Sequence, residues 1–457
     1  MLGNVRKSGR KFLFAGKGMS VQTGRYLFEA MLVGAVTGLA VVLFKCLIDC
    51  AQYWYGSLAS RREEFWLNPV RWIMAVLPVL GALAGHLLIR KFDKLENARG
   101  TNSAIDAFHK KSGYITSTVI PVKPVASVLT VGTGGSAGYE GPVTLLGSAI
   151  GSAIARLMKL SPRARRILMA SGLSAGIAAL FQVPLAGAIF GFEIFYSSSD
   201  IEDETVLPCF IASSLSYAIY SFFVGPSAWQ PLFELDSRYA FSNSLRLFPY
   251  FILALAVTFA SRFYISFFRA TEKAFCDSRI PVSAKVAIGG LVTGAIGFFF
   301  PDILGTGYSI IEGCLNMDAS GFAGIRRLTA VSLFVLFALK VVATTFTVGS
   351  GGSGGLFAPA LACGSALGAA VGVIMKAVMP ESIGITPQAF ALVGMAGFMA
   401  STMRTPLTAI VMVSEMTGNN LLLMPAMWVC GISFWLNNGW TLYRSQVHRQ
   451  ESSPKKD

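Results

Sequence analysis

Charge is scarce in this chain. Only 14% of its 457 residues are Asp, Glu, Lys or Arg, against about a quarter in soluble globular domains, and 53% are hydrophobic, with a mean hydropathy of +0.59. That balance excludes an ordinary soluble enzyme. Histidine is scarcer still: His86, His109 and His448 stand far apart in sequence and supply no catalytic or metal-binding cluster. The seven cysteines (Cys46, Cys50, Cys209, Cys276, Cys314, Cys363 and Cys430) are scattered and form no CxxC pair, so reduced thiols are expected and neither a metal centre nor a cofactor motif is in view. No Pro/Ser-rich polar linker divides the chain, although its length would suggest two or three soluble domains. Trains of alternating ten-residue strands are missing as well, which excludes a transmembrane barrel. Acidic residues are few, 24 against 38 Lys and Arg, but the basic excess gathers at the ends and in loops between apolar segments. It is a signal of membrane topology and not a nucleic-acid footprint.

What is present is a series of apolar stretches near residues 26–48, 71–90, 115–157, 166–196, 207–224, 247–268, 283–300, 328–347, 355–379, 388–415 and 420–437. A bilayer core of about 30 Å needs roughly 20 helical residues. The longer stretches therefore hold two segments broken by Gly or Pro, and the fold is an all-α polytopic membrane protein. Ahead of the first stretch, residues 1–25 carry Arg6, Lys7, Arg10, Lys11, Lys17 and Arg25 without a cleavage signature, and residues 444–457 are again basic. Both termini are expected in the cytoplasm, with an even number of crossings.

The chain repeats itself. VGTGGSAGYEGPVTLLGSAIG (Val131–Gly151) and VGSGGSGGLFAPALACGSALG (Val348–Gly368) share 11 of 21 residues without a gap at an offset of 217. Pro184-Leu185 followed by Glu193 is matched by Pro406-Leu407 followed by Glu415, at an offset of 222. Gly100-Thr101 with Ile105 is matched more weakly by Gly305-Thr306 with Ile310. The membrane domain, 26–443, is thus expected to comprise two halves, about 26–225 and 245–443, of the inverted kind whose broken helices meet near the bilayer midplane.

Each long repeat places a glycine cluster ahead of Pro142 or Pro359. Glycine permits irregular backbone and proline suits a first helical turn, so each motif reads as a broken, re-entrant helix whose N-terminus lies inside the protein. Free N–H groups at such an end bind an anion without Lys or Arg. Gly138, Gly141, Gly354 and Gly355 form this path. Glu140 lies within the first cluster, where the second repeat has Phe357. A carboxylate among inward N–H groups occupies the anion's own seat, and it leaves that seat when protonated. Glu140 is therefore the candidate gate.

GYEGP, GGLFAP at Gly354–Pro359, VPLAG at Val183–Gly187 and RTPLTAIVMVSEMTGNNLLLMP at Arg404–Pro425 resemble the signature motifs of the CLC chloride channel and chloride/proton antiporter family. The resemblance covers nearly the whole membrane region in the family's order. It implies an inverted-repeat homodimer in the bilayer, each subunit with its own chloride pathway. It also implies that Glu140 matches the gating glutamate, that Leu356 and Phe357 bind chloride through backbone N–H, and that Tyr443, with Thr101 as stand-in for a serine, binds it through hydroxyl groups. Lys123 adds positive potential along that path. A minimal subunit of the inner or plasma membrane of a prokaryote is implied, without regulatory C-terminal domains.

Two departures bear on mechanism. Tyr139 stands where a basic residue usually precedes the gate, and Ile194 stands where several antiporters have an internal proton-transfer glutamate. Glu193 beside it is a structural acid or a possible proton relay. Channel and antiporter remain open, with a fluoride-selective relative as a further variant and a membrane-embedded enzyme as the reading from another class.

Overall fold

The computed structural model describes residues 3–59, 69–92, 100–198, 200–233, 247–317 and 328–448, together with Leu235, Tyr239, Phe241 and Leu245. Among them are sixteen α-helices. The first eight are α1 (Gly3–Ala59), α2 (Pro69–Phe92), α3 (Thr101–Lys110), α4 (Val119–Gly132), α5 (Glu140–Leu157), α6 (Pro162–Phe181), α7 (Pro184–Glu193) and α8 (Val206–Val224). The second eight are α9 (Leu247–Asp277), α10 (Val282–Phe299), α11 (Tyr308–Asn316), α12 (Ala330–Gly349), α13 (Phe357–Val378), α14 (Pro387–Met403), α15 (Pro406–Thr417) and α16 (Leu423–Leu436). The two sets pack alike: α1 on α8 as α9 on α16, α2 on α4 as α10 on α12, α5 on α6 as α13 on α14. Eight of the described helices are long and apolar enough to cross a membrane, among them Tyr26–Tyr55 within α1. Phe28, Phe222, Phe259 and Trp435 are among the large apolar side chains on the outside.

The breaks expected in the longer stretches have a common chemistry. Between α6 and α7, Gln182 adopts a left-handed conformation (φ 59°) and Pro184 opens the next helix. Arg404 (φ 63°) and Pro406 repeat this between α14 and α15, again 222 residues on. A left-handed non-glycine residue costs about 1–2 kcal/mol. At Arg404 the guanidinium offsets this by donating to Ser197 O at 2.8 Å and to Phe434 O while stacking on the Phe434 ring. The charge is thereby held inside the protein without an acidic partner.

Packing within each half depends on glycine where helix backbones touch. In α13 and α14, a Cβ on Gly364 would fall 2.6 Å from Gly394 O, and Gly147 of α5 meets Gly172 of α6 in the same way, more tightly. Small residues at a helix crossing are how membrane helices associate when apolar surface alone supplies no drive. Two details differ from the sequence expectation. The helical backbone of α1 takes in the basic stretch from Gly3 onward, and residues 444–448, counted with the C-terminal tail, are packed on the body. Residues 449–457 lie outside the described residues.

Gly147→Val and Gly364→Val are expected to lower the thermal midpoint of the purified protein in detergent, each by the equivalent of about 1–3 kcal/mol or more. Gly431→Ala, where nothing lies within 4 Å of the added carbon, is expected to leave it unchanged or raise it.

Candidate functional site

The two glycine clusters meet each other. Gly138 N–H donates to Gly355 O at 2.9 Å and Gly355 N–H donates to Gly138 O at 2.8 Å. These residues are aligned in the two repeats at the offset of 217, so the internal two-fold axis passes between them. Two hydroxyl pairs flank it: Ser127 with Ser353 at 2.8 Å and Ser136 with Thr344 at 2.9 Å. They exchange places under the same offset. Helices α5 and α13 then begin at the aligned residues Glu140 and Phe357, and both N-termini, whose first N–H groups have no partner within their own helix, converge on this crossing.

Only the first repeat carries an acid there. Glu140 is 1% exposed, and its Oε1 accepts from Phe357 N–H at 2.5 Å. Its Oε2 is buried without a hydrogen-bond partner. A Cβ on Gly138 or on Gly355 would strike this carboxylate, so both positions require glycine for the side chain to fit. Phe357 itself is fully buried, its ring packed 5.4 Å from Phe181 and 6.2 Å from Phe190.

Below the crossing lies a cavity of about 820 Å³ that brings together Thr101, Gly141, Gly354, Gly355, Leu356 and Tyr443. Arg90, Lys123, Lys285 and Arg444 also line it, against Glu272 as the one acid in its lining. Arg444 pairs with Glu272 at 3.1 Å, which leaves the cavity positive. Such a field concentrates anions at its mouth. Glu140 and Phe357 are not part of the lining, which reaches their neighbours Gly141 and Leu356.

The two proposed hydroxyl donors meet. Thr144 Oγ1 donates to Gly141 O at 2.9 Å and lies 3.0 Å from Thr101 Oγ1. Thr101 also hydrogen-bonds with the Tyr443 hydroxyl, so the two candidate donors stand together. Tyr443 O–H has a further weak acceptor in Met403 Sδ, at 3.9 Å. Its position is set by the segment after α16. Leu442 N–H donates to Thr402 O, Ser445 N–H to Asn102 Oδ1 and Gln446 Nε2 to both Ile194 O and Met403 O, at 2.9–3.0 Å.

Glu193 and Ile194 lie elsewhere, at the end of α7. The Glu193 carboxylate accepts from Leu407 N–H at 2.9 Å, Thr408 N–H at 2.8 Å and Thr408 O–H at 2.6 Å, capping α15. Glu415 does the same for Leu185 and Ala186 at the start of α7, at 3.1 and 2.8 Å. Each half thus supplies the acid that caps the other half's helix. Ile194 is fully buried. The paired Pro-to-Glu spacing was the visible sign of this exchange; nothing in the sequence marked Arg90, Lys285 or Arg444 as sharing a cavity.

A family model described as voltage gated chloride channel matches residues 80–438. A putative chloride channel protein ClcB-like from Ralstonia nicotianae is 29% identical over 410 residues, covering 88% of this chain and 91% of that protein. An H(+)/Cl(−) exchange transporter ClcA from Klebsiella pneumoniae is 30% identical over 413 residues, covering 88% of this chain and 84% of its own. Among solved structures, a slow cyanobacterial Cl−/H+ antiporter superposes with a TM-score of 0.79 at 23% identity, over 92% of this chain and 96% of that one. A CLC-type fluoride/proton antiporter superposes with a TM-score of 0.76 at 20% identity, over 93% and 98%.

Glu193→Ala leaves the Thr408 N–H buried and unpaired. A loss of about 1–3 kcal/mol is expected, read as a lower thermal midpoint, and Glu415→Ala is expected to lose less because Glu415 is less buried than Glu193.

Proposed function

Because this chain belongs to the voltage gated chloride channel family, we propose that it carries chloride through the pathway described above as a slow, proton-coupled exchanger in which Glu140 is the gate. The observation that carries this reading is the seat of the Glu140 carboxylate on the Phe357 N–H, the backbone donor suited to an anion. Chloride and carboxylate compete for one place. Protonation removes the carboxylate's charge, weakens its hold on the N–H, and lets an anion from the basic cavity take its position. One titratable group thereby links the two ions.

Leu356 and Phe357 N–H and the Tyr443 and Thr101 hydroxyls supply the donors on the anion's route. Arg90, Lys123 and Lys285 draw anions into the inner cavity. The exchanger reading is supported by the transporter named above as 30% identical. The absence of an acid at position 194 supports slow turnover, since protons from the cytoplasm must travel by water past an aliphatic side chain. The relatives named above as a chloride channel and an exchange transporter favour transport over the enzyme reading.

The membrane domain is 26–443, in two repeats of about 26–225 and 245–443. The chain works as a homodimer in the bilayer of a prokaryotic inner or plasma membrane, with both termini in the cytoplasm.

In vesicles containing the purified protein, wild-type chloride flux is expected to rise as external pH falls, because protonation vacates the seat. Glu140→Ala is expected to transport chloride with no such response; an unchanged pH response would remove Glu140 as the gate. Tyr443→Phe is expected to weaken chloride binding by calorimetry by about 1.5–3 kcal/mol. Thr101→Ala is expected to weaken it too, since that hydroxyl hydrogen-bonds with the Tyr443 hydroxyl.

A further inference from the structure

Position 194 has no carboxylate, yet the fold brings one to the end of the same helix from further along the chain. After α7 the backbone turns back so that Glu202 N–H donates to Phe192 O at 3.3 Å. Glu202 is thereby set beside the last turn of α7, where Ile194 is the cap residue. Its Oε2 accepts the hydroxyl proton of Tyr196, two residues past Ile194. Tyr196 is 1% exposed, whereas Glu202 is only half-buried and reaches water. The Tyr196 ring stands 5.4 Å from that of His109 on α3. His109 Nε2 lies 2.9 Å from Phe195 O, and since a carbonyl only accepts, that nitrogen carries the proton. A carboxylate, a phenol and an imidazole therefore wrap residues 194–196, with one end at the surface and the other in the protein.

This cluster is separate from the anion's approach. Glu202, Tyr196 and His109 do not line the basic cavity. A carboxylate inside that cavity would repel chloride, and an acid set apart from it does not.

We propose that Glu202, held by Tyr196, is the site at which this chain takes up protons from the cytoplasm. The inference rests on the exchanger reading. A proton from cytoplasmic water binds the Glu202 carboxylate and passes to water admitted beside Ile194. The Glu140 carboxylate then takes it and gives it up on the outer side. Glu202 returns to its ionised form, accepting again from the Tyr196 hydroxyl. The charged groups around it are few. On α3, Asp106 and Lys110 pair at 2.7 Å. On α6, Arg163 is engaged by Glu204, and Arg166 lies over the Phe108 ring at 5.5 Å. Asp200 and Asp203 share Glu202's own segment, His448 belongs to the C-terminal one, and Glu193 of α7 is occupied in capping α15. Helix α8 carries no charged side chain.

The test records proton and chloride movement together in vesicles, with a chloride gradient driving protons uphill. In Glu202→Gln, uphill proton movement is expected to be lost while chloride flux continues, and Glu202→Asp is expected to restore it. Tyr196→Phe is expected to slow proton movement without abolishing it. Chloride flux through Glu202→Gln in the Glu140→Ala background reports separately that the protein is folded. Proton movement at the wild-type rate in Glu202→Gln overturns the proposal, as does a proportional loss of both fluxes, which marks a structural role. Absence of uphill proton movement in the wild type overturns the exchanger reading itself, and this proposal with it.

Discussion

Lipid cannot hydrogen-bond to a peptide group, and the rest of this structure depends on that constraint. A helix that begins at membrane depth leaves its first N–H groups without partners. Here four helices start within the fold, at Glu140, Pro184, Phe357 and Pro406, the first and third of them at buried residues. Two of them are satisfied by acids exchanged between the halves, Glu193 and Glu415. The other two converge at the Gly138–Gly355 crossing, and there one acid, Glu140, covers the start of α13. The same physical need is thus met permanently at one pair of helix ends and replaceably at the other.

What makes the difference is what adjoins each acid. Glu193 bonds Leu407 and Thr408 at the start of α15, away from the basic cavity. Glu140 rests on the backbone N–H groups of Phe357 and Ala358 at the start of α13. N–H groups at a helix start suit a competing anion as well as a carboxylate. The positive cavity beneath it, with Arg90, Lys123 and Lys285, makes that competitor plentiful.

Much of this was legible in the amino-acid sequence, for a definite reason. Glycine clusters, helix-starting prolines and an acid within an apolar run are local signals, and the offset of 217 places them in both halves. The all-helical fold, the broken segments and the special position of Glu140 follow from such signals together with the family resemblance. What was not legible is which groups meet across the axis. Periodicity says nothing of Ser127 reaching Ser353, of Thr101 being engaged by Thr144, or of Gln446 bridging Ile194 and Met403. Nor does it show that α2, α4 and α10 bring Arg90, Lys123 and Lys285 around one space. The pairing of Tyr196 with Glu202 spans only six residues, yet it depends on a turn after α7 that no residue pattern announced.

The exchanged caps also set a timetable for biosynthesis. Glu193 finds its N–H partners 214 and 215 residues later in the chain. At roughly 5–20 residues per second that interval is on the order of 10–40 s. Throughout it the first half holds an unsatisfied carboxylate, and the start of α7 awaits Glu415. A half-made protein of this design is therefore neither finished nor inert in the bilayer. The insertion machinery, or water it admits, must shelter these groups until translation delivers the second half.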